Sequence, residues 1–114
     1  MARTPLRETA VIKLNGSGAG TAKVGPLSAR EIWYPDNVHI GCATDVKEST
    51  CDIFVGRSAT DENFRDQSVL GSSGDSSGTV GGDVVKCGDY IWAKWLGGDA
   101  NVQAVLTVTG VRDV

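Results

Sequence analysis

Long apolar runs, basic tracts and a helical repeat of apolar residues are all missing from this sequence of 114 residues. No run approaches the ~20 apolar residues of a membrane-spanning helix, and residues 1–10 are too polar for a secretory signal peptide. The net charge of −3 argues against nucleic-acid binding, because phosphate contacts need a basic surface. We therefore expect a protein that is made in the cytoplasm and binds neither a membrane nor nucleic acid.

Cysteine and histidine are scarce, and this scarcity removes the usual catalytic and metal-binding sets. Cys42, Cys51 and Cys87 are an odd number at no metal-ligand spacing. His39 is the only histidine in the chain, and no GxSxG or catalytic-cysteine motif accompanies it. We predict that the protein is not an enzyme and has no cofactor. A disulfide between Cys42 and Cys51 across a hairpin is an alternative to free thiols, which a cytoplasmic origin favours.

Glycine is abundant instead, with 15 residues concentrated at turn-like places, and this predicts many short strands. Hydrophobic residues make up 40% of the chain and charged residues 22%, which is typical of a globular protein. A chain of this length forms one domain and buries roughly two-thirds of the surface of its unfolded form. Such a core needs no disulfide or metal ion to stabilise it.

Apolar and polar residues alternate in short segments, with a turn signal about every 8–12 residues. Residues 10–14 and 21–25 predict one hairpin around NGSGAG, and residues 90–95 and 102–110 predict another around LGGDAN. The last strand has the clearest inward set: Val102, Ala104, Leu106 and Val108. We predict an all-β fold, an antiparallel β-sandwich of about seven to nine short strands, immunoglobulin-like or jelly-roll. The strand order stays open, because both topologies use the same alternation.

The N-terminal segment does not alternate in this way. We expect residues 1–8 to form an arm, frayed or docked on a neighbouring subunit, ahead of a single β-sandwich domain at residues 9–114. The interface residues predicted in this arm are Arg3, Pro5, Leu6 and Arg7.

Residues 71–82, GSSGDSSGTVGG, are the most biased segment of the chain. Five glycines and four serines offer little apolar area to offset the entropy of ordering, so we predict a loop. A calcium site around Asp75 and Asp83 is an alternative to solvated carboxylates, which we favour, so we predict no metal. Residues 57–66, RSATDENFRD, have room for a single helical turn that Thr60 can cap.

Aromatic residues are few, and two of the three tryptophans lie in the segment DYIWAKW at residues 89–95. In a strand, Trp92 and Trp95 point to opposite faces, and Tyr90 shares the face of Trp92. We predict that one of these tryptophans is in the core and the other lies at an edge or a subunit interface, with Trp33 packed in the same core. The alternatives are a carbohydrate platform of Tyr90 and Trp92, or a structural tyrosine corner at Tyr90.

Several segments, taken in order, resemble one known group of proteins. The segments are LNGSGAGTAKVGP, EIWYP, VGRSATDENFRDQSVLGSSGDSSG and GDYIWAKWLGGDANVQAVLTVTGVRD. Together they cover most of the chain and are similar to the small β-sandwich virion proteins of tailed phages of actinobacteria. The most specific parts are the GSSGDSS segment and the W-x-GGD turn before an A-x-L-x-V-x-G strand. The family usually has a proline where this chain has Cys87 before Gly88, and no known binding residue can be carried over.

The resemblance implies a non-enzymatic structural part of the phage particle, present in many copies. We expect a virion protein, made in the host cytoplasm, that serves as a capsid decoration or minor capsid protein on the assembled shell. Its partner would be the major capsid protein, and we expect a homo-oligomer, with a trimer as one form. The alternatives are a tail, collar or baseplate component with tail or collar proteins as partners, or a glycan- or receptor-binding module.

Overall fold

The computed structural model describes residues 3–71, 75–78 and 83–114. These residues form nine β-strands and one short 3-10 helix. In chain order the strands are β1 (Arg3–Lys13), β2 (Gly20–Val24), β3 (Ile32–Cys42), β4 (Ser49–Gly56), β5 (Phe64–Leu70), β6 (Asp75–Gly78), β7 (Val85–Lys86), β8 (Tyr90–Leu96) and β9 (Gln103–Asp113). The 3-10 helix, Asp61–Asn63, follows Thr60 and confirms the predicted single helical turn, but the side chain of Thr60 makes no capping hydrogen bond.

The strands make two antiparallel sheets that pack face to face. Sheet I has the order β1-β9-β3-β6, and β7 also pairs with β3. Sheet II has the order β2-β8-β4-β5. The predicted antiparallel β-sandwich is confirmed.

The pairing is nested, because β1 pairs with β9, β2 with β8, β3 with β6 and β7, and β4 with β5. This nested order is that of one long hairpin with its tip between β4 and β5. The hairpin is rolled up so that β9 pairs with β3 and β8 pairs with β4. Rolled hairpins of this kind are jelly rolls. The topology therefore selects the jelly roll over the immunoglobulin-like order.

The core lies between the sheets and is built from alternate residues of each strand, as the period of two requires. Trp95 is fully buried with Ile91 and Ala93 on the inner face of β8, and Trp33 is buried on β3. The inner positions of β9 are Ala104, Leu106 and Val108, all fully buried. The tryptophans at positions 33 and 95 thus belong to one core, while Trp92 faces outward.

Both hairpins predicted from the sequence are wrong. The segments of each predicted hairpin lie in different sheets, so the connections 14–19 and 97–102 cross from one sheet to the other. These two connections contact each other: Gly98 N donates to Gly18 O at 3.3 Å, and Asn101 N donates to Asn15 O at 3.2 Å. Alternation determines which side of a strand is apolar, but it does not determine the partner strand.

Residues 3–8, expected to form an arm, are the first half of β1 instead. They pair with β9 in a continuous register that begins at Arg3 opposite Asp113. Leu6 is 2% exposed and belongs to the core, and Arg3 Nε lies 3.2 Å from an oxygen of Asp113. The alternation is weak here because β1 is an edge strand, in which the inward positions include Glu8 as well as Leu6.

The predicted loop at residues 71–82 contains a strand. The backbone of Asp75–Gly78 forms β6 and pairs with β3 from Val38 to Gly41. The glycine and serine content favoured a loop, but an edge strand needs little side-chain burial when its backbone completes a sheet. The rest of this prediction, at residues 72–74 and 79–82, lies outside the described residues.

Candidate functional site

An aromatic row crosses the outer face of sheet II. The strand register aligns Lys23 of β2 with Trp92 of β8, Trp92 with Phe54 of β4, and Phe54 with Phe64 of β5. These four residues are here named the aromatic row. Tyr90 lies beside Trp92 on the same face of β8, as the sequence predicted from strand parity.

The rings of this face are held at steep angles to one another. Tyr90 and Trp92 meet edge to face at 5.6 Å and 69°, and Trp92 Nε1 donates to Gly56 O at 3.0 Å. The Lys23 ammonium lies 4.3 Å from the Tyr90 ring centre and 5.0 Å from that of Trp92. Cations attract ring faces, so Lys23 occupies the surface on which a sugar would stack. The coplanar platform that the carbohydrate hypothesis requires is therefore not formed.

A polar row and an apolar row follow the aromatic row along the strands. The polar row is Thr21, Lys94, Asp52 and Gln67, with Gln67 Nε2 donating to Asp52 Oδ1 at 2.7 Å. The next row contains Leu96, Thr50 and Val69. Phe64, Leu96 and Val69 are 44%, 45% and 62% exposed. The three rows are here named the sheet II face, which combines exposed apolar side chains with a central pair of opposite charges.

A pocket of about 340 Å³ lies at one side of the sandwich, where the edge strands β1 and β2 and the connection 25–31 meet. Its lining residues are Glu8, Lys23, Val24, Gly25, Leu27, Trp33 and Tyr90. Leu27 is 91% exposed at the rim. Glu8 is held in place by Arg112, whose guanidinium lies 3.1 Å from Glu8 and 3.3 Å from Glu31. The pocket joins an apolar rim to a fixed carboxylate and a lysine, a combination suited to binding.

At the other end of β3, the carboxylate of Asp99 organises a loop. Its Oδ2 accepts hydrogen bonds from the backbone N–H groups of Asp45 at 2.8 Å and Val46 at 2.9 Å, and Oδ1 accepts one from Lys47 at 2.9 Å. Asp99 N donates in turn to Thr44 Oγ1 at 2.9 Å. These backbone hydrogen bonds lower the pKa of Asp99, because they stabilise the charged carboxylate.

Asp99→Asn is expected to destabilise the protein at pH 7 and to lose this effect in acid. A group with a lowered folded-state pKa contributes stability above its unfolded pKa, and that contribution disappears as the pH falls through the folded pKa. Urea unfolding midpoints of wild type and variant should therefore differ at pH 7 and converge below the ordinary pKa of 3.8. Asp45→Asn, an exposed change in the same loop, is the control. A pH-independent difference would contradict the role assigned to the carboxylate charge.

The cysteines do not form a nucleophilic or metal site in the described structure. Cys42, Cys51 and Cys87 are free thiols, the first two buried and the third exposed. Burial, and next the negative charge of Asp52, raise the pKa of Cys51 to about 12. Its sulfur therefore stays protonated near neutral pH and is a poor nucleophile.

The remaining candidates from the sequence lie apart from one another. His39 lies opposite Thr107 in sheet I. Asp83 pairs with Arg65 at 3.1 Å, and the side chain of Asp75 lies outside the described residues. Within residues 3–71 and 83–114, no group of three or more potential ligands could hold a metal ion. Among the described residues there is no helix long and apolar enough to cross a membrane.

A scan against protein-family models finds no match for this chain, and a search of curated proteins finds no similar sequence. The candidate surfaces therefore depend on the geometry alone. Strand parity located Tyr90 and Trp92 on one face. Lys23 and Phe64 were missed, because they join the row through strand pairings that no local pattern reveals.

Proposed function

We propose that this protein is a non-enzymatic structural component of a tailed-phage virion, a capsid decoration or minor capsid protein that docks on the assembled shell. The resemblance of the four sequence segments to actinobacterial phage virion proteins supports this role. The jelly-roll topology supports it by analogy, since this fold recurs in viral capsid proteins as well as in lectin domains. Binding to the assembled shell and not to its separate subunits would stabilise the particle by mass action.

The main structural support is the exposure of Leu27 beside the pocket. At 91% exposed, Leu27 leaves nearly its whole side chain in water, whereas a docking partner would remove that apolar surface from water. The carboxylate of Glu8 and the ammonium of Lys23 add polar groups that can orient the partner. Residues 3–8 belong to β1 and do not form a docking arm. In this proposal, the surface around Leu27 and the pocket is the docking site instead.

Leu27→Asp should reduce binding to purified capsids at least about tenfold, because the carboxylate would be desolvated in the interface. The measurement is co-sedimentation of the purified protein with separate capsid and tail fractions. Val46→Asp is the matched control, since Val46 is 86% exposed at the opposite end of β3. Undiminished capsid binding by the Leu27 variant would overturn this docking end. Binding to tails alone would move the role to the tail, and binding to neither fraction would overturn the virion role.

A further inference from the structure

The sheet II face is complementary to itself. Its two central strands are β8 and β4, and its polar row places Lys94 on β8 directly opposite Asp52 on β4. A surface with opposite charges on either side of its midline fits a second copy turned by 180° about that midline. We propose that the chain forms an isologous dimer through this face, with β8 of each copy lying over β4 of the other.

The geometry of such a dimer follows from the strand order. The two-fold axis lies in the interface between the copies, parallel to the strands and above the line between β8 and β4. It places β8 over β4 and β2 over β5 of the other copy, and each row stays at its own level along the strands. The polar row then meets itself, and Lys94 of each copy faces Asp52 of the other. The twist of the two sheets allows this packing with strands about 30° apart.

The neighbouring rows also match under this symmetry. In the aromatic row, Trp92 comes over Phe54 of the other copy, which is only 5% exposed and adds little contact area. Lys23, which lies over the rings of its own Tyr90 and Trp92, comes level with the exposed ring of Phe64 of the other copy. In the apolar row, Leu96 and Val69 bring exposed apolar surface to the contact. Like charges do not meet in any of the three rows.

The size of the face limits the affinity. Four strands ~4.8 Å apart and seven residues of ~3.3 Å span about 19 Å by 23 Å. Two such faces bury roughly 900 Å² in total, which is below the standard size of a stable interface. We therefore expect a reversible dimer with a dissociation constant of about 1–100 µM.

Charge reversal provides the test, with sedimentation equilibrium of the purified full chain as the measurement. Lys94→Glu leaves two acidic positions facing each other across the axis, and Asp52→Lys leaves two basic positions. Each variant alone should dimerise at least about tenfold more weakly than wild type. An equimolar mixture of the two variants should form a heterodimer, because both facing pairs then have opposite charges.

Lys13→Glu, the same charge change at an exposed position on sheet I, is the matched control and should dimerise like wild type. Thermal unfolding of each variant tests whether the domain is intact, and the mixture shows directly whether the weakened variants still fold. A wild-type protein that remains monomeric at about 1 mM would overturn the proposal. So would variants that fail to associate when mixed, or charge reversals that leave dimerisation unchanged. This inference does not depend on the virion role, which is tested with Leu27 and added particles.

Discussion

Replacing Gly18 with alanine is expected to lower the free energy of unfolding by about 3 kcal/mol or more. Gly18 has a φ of +72°, and a Cβ at this position would lie 1.9 Å from the carbonyl oxygen of Gly98 and 2.5 Å from its carbonyl carbon. Both atoms belong to the backbone, so no change of side-chain rotamer relieves the overlap. The two connections between the sheets would have to separate, and with them the hydrogen bond from Gly98 N to Gly18 O.

Gly16→Ala is the matched control for this change. Gly16 lies in the same connection, and an added Cβ there meets no atom within 4 Å. Its unfolding midpoint in urea should stay close to that of wild type, within about 1 kcal/mol in free energy. If the two alanine variants were equally stable, the close contact between the connections 14–19 and 97–102 would be wrong.

The same contact explains why the sequence predicted the strands but not their partners. The period of two is local, so it correctly placed Trp92 and Trp95 on opposite faces and identified the inward set of β9, and the structure shows that Trp95 is the buried one. A glycine-rich turn between two alternating segments is also the usual sign of a hairpin. Here the two turns are complementary to each other, and each carries its chain to the opposite sheet. Complementarity between segments about 80 residues apart leaves no local signal.

The sequence predicted the part of the candidate surfaces that lies on one strand, but not the part that depends on strand pairing. Tyr90 and Trp92 were found because they are neighbours on one strand. Lys94 and Asp52 lie opposite each other on the neighbouring strands β8 and β4. Their pairing depends on a register that the core residues Ile53 and Ala93 fix. Long-range strand registers are set by burial of one whole face, which a single strand does not reveal. The self-complementary charge pattern of the sheet II face therefore depends on the strand pairings and cannot be predicted from any single strand.

Removing residues 1–8 is expected to destabilise the protein by more than about 4 kcal/mol, because the truncation removes buried apolar surface together with sheet hydrogen bonds. Residues 3–8 supply six of the eleven register pairs between β1 and β9. The truncation also removes Leu6, which is 2% exposed, and the carboxylate of Glu8 that pairs with Arg112. The edge of β9 would become open to solvent over these six positions, and an open edge favours aggregation.

An arm that lies outside the fold requires the opposite result, with the truncated chain as stable as the full one. Thermal unfolding of the soluble fraction, monitored by circular dichroism, distinguishes an arm outside the fold from a strand within it. Point variants separate the loss of the core from the loss of the strand: Leu6→Ala should cost about 2–5 kcal/mol, whereas Arg7→Ala on the exposed side should cost less than about 0.5 kcal/mol. Equal stability of these two variants would mean that Leu6 is not a core residue. An unchanged melting temperature of the truncated chain would mean that β1 begins after residue 8.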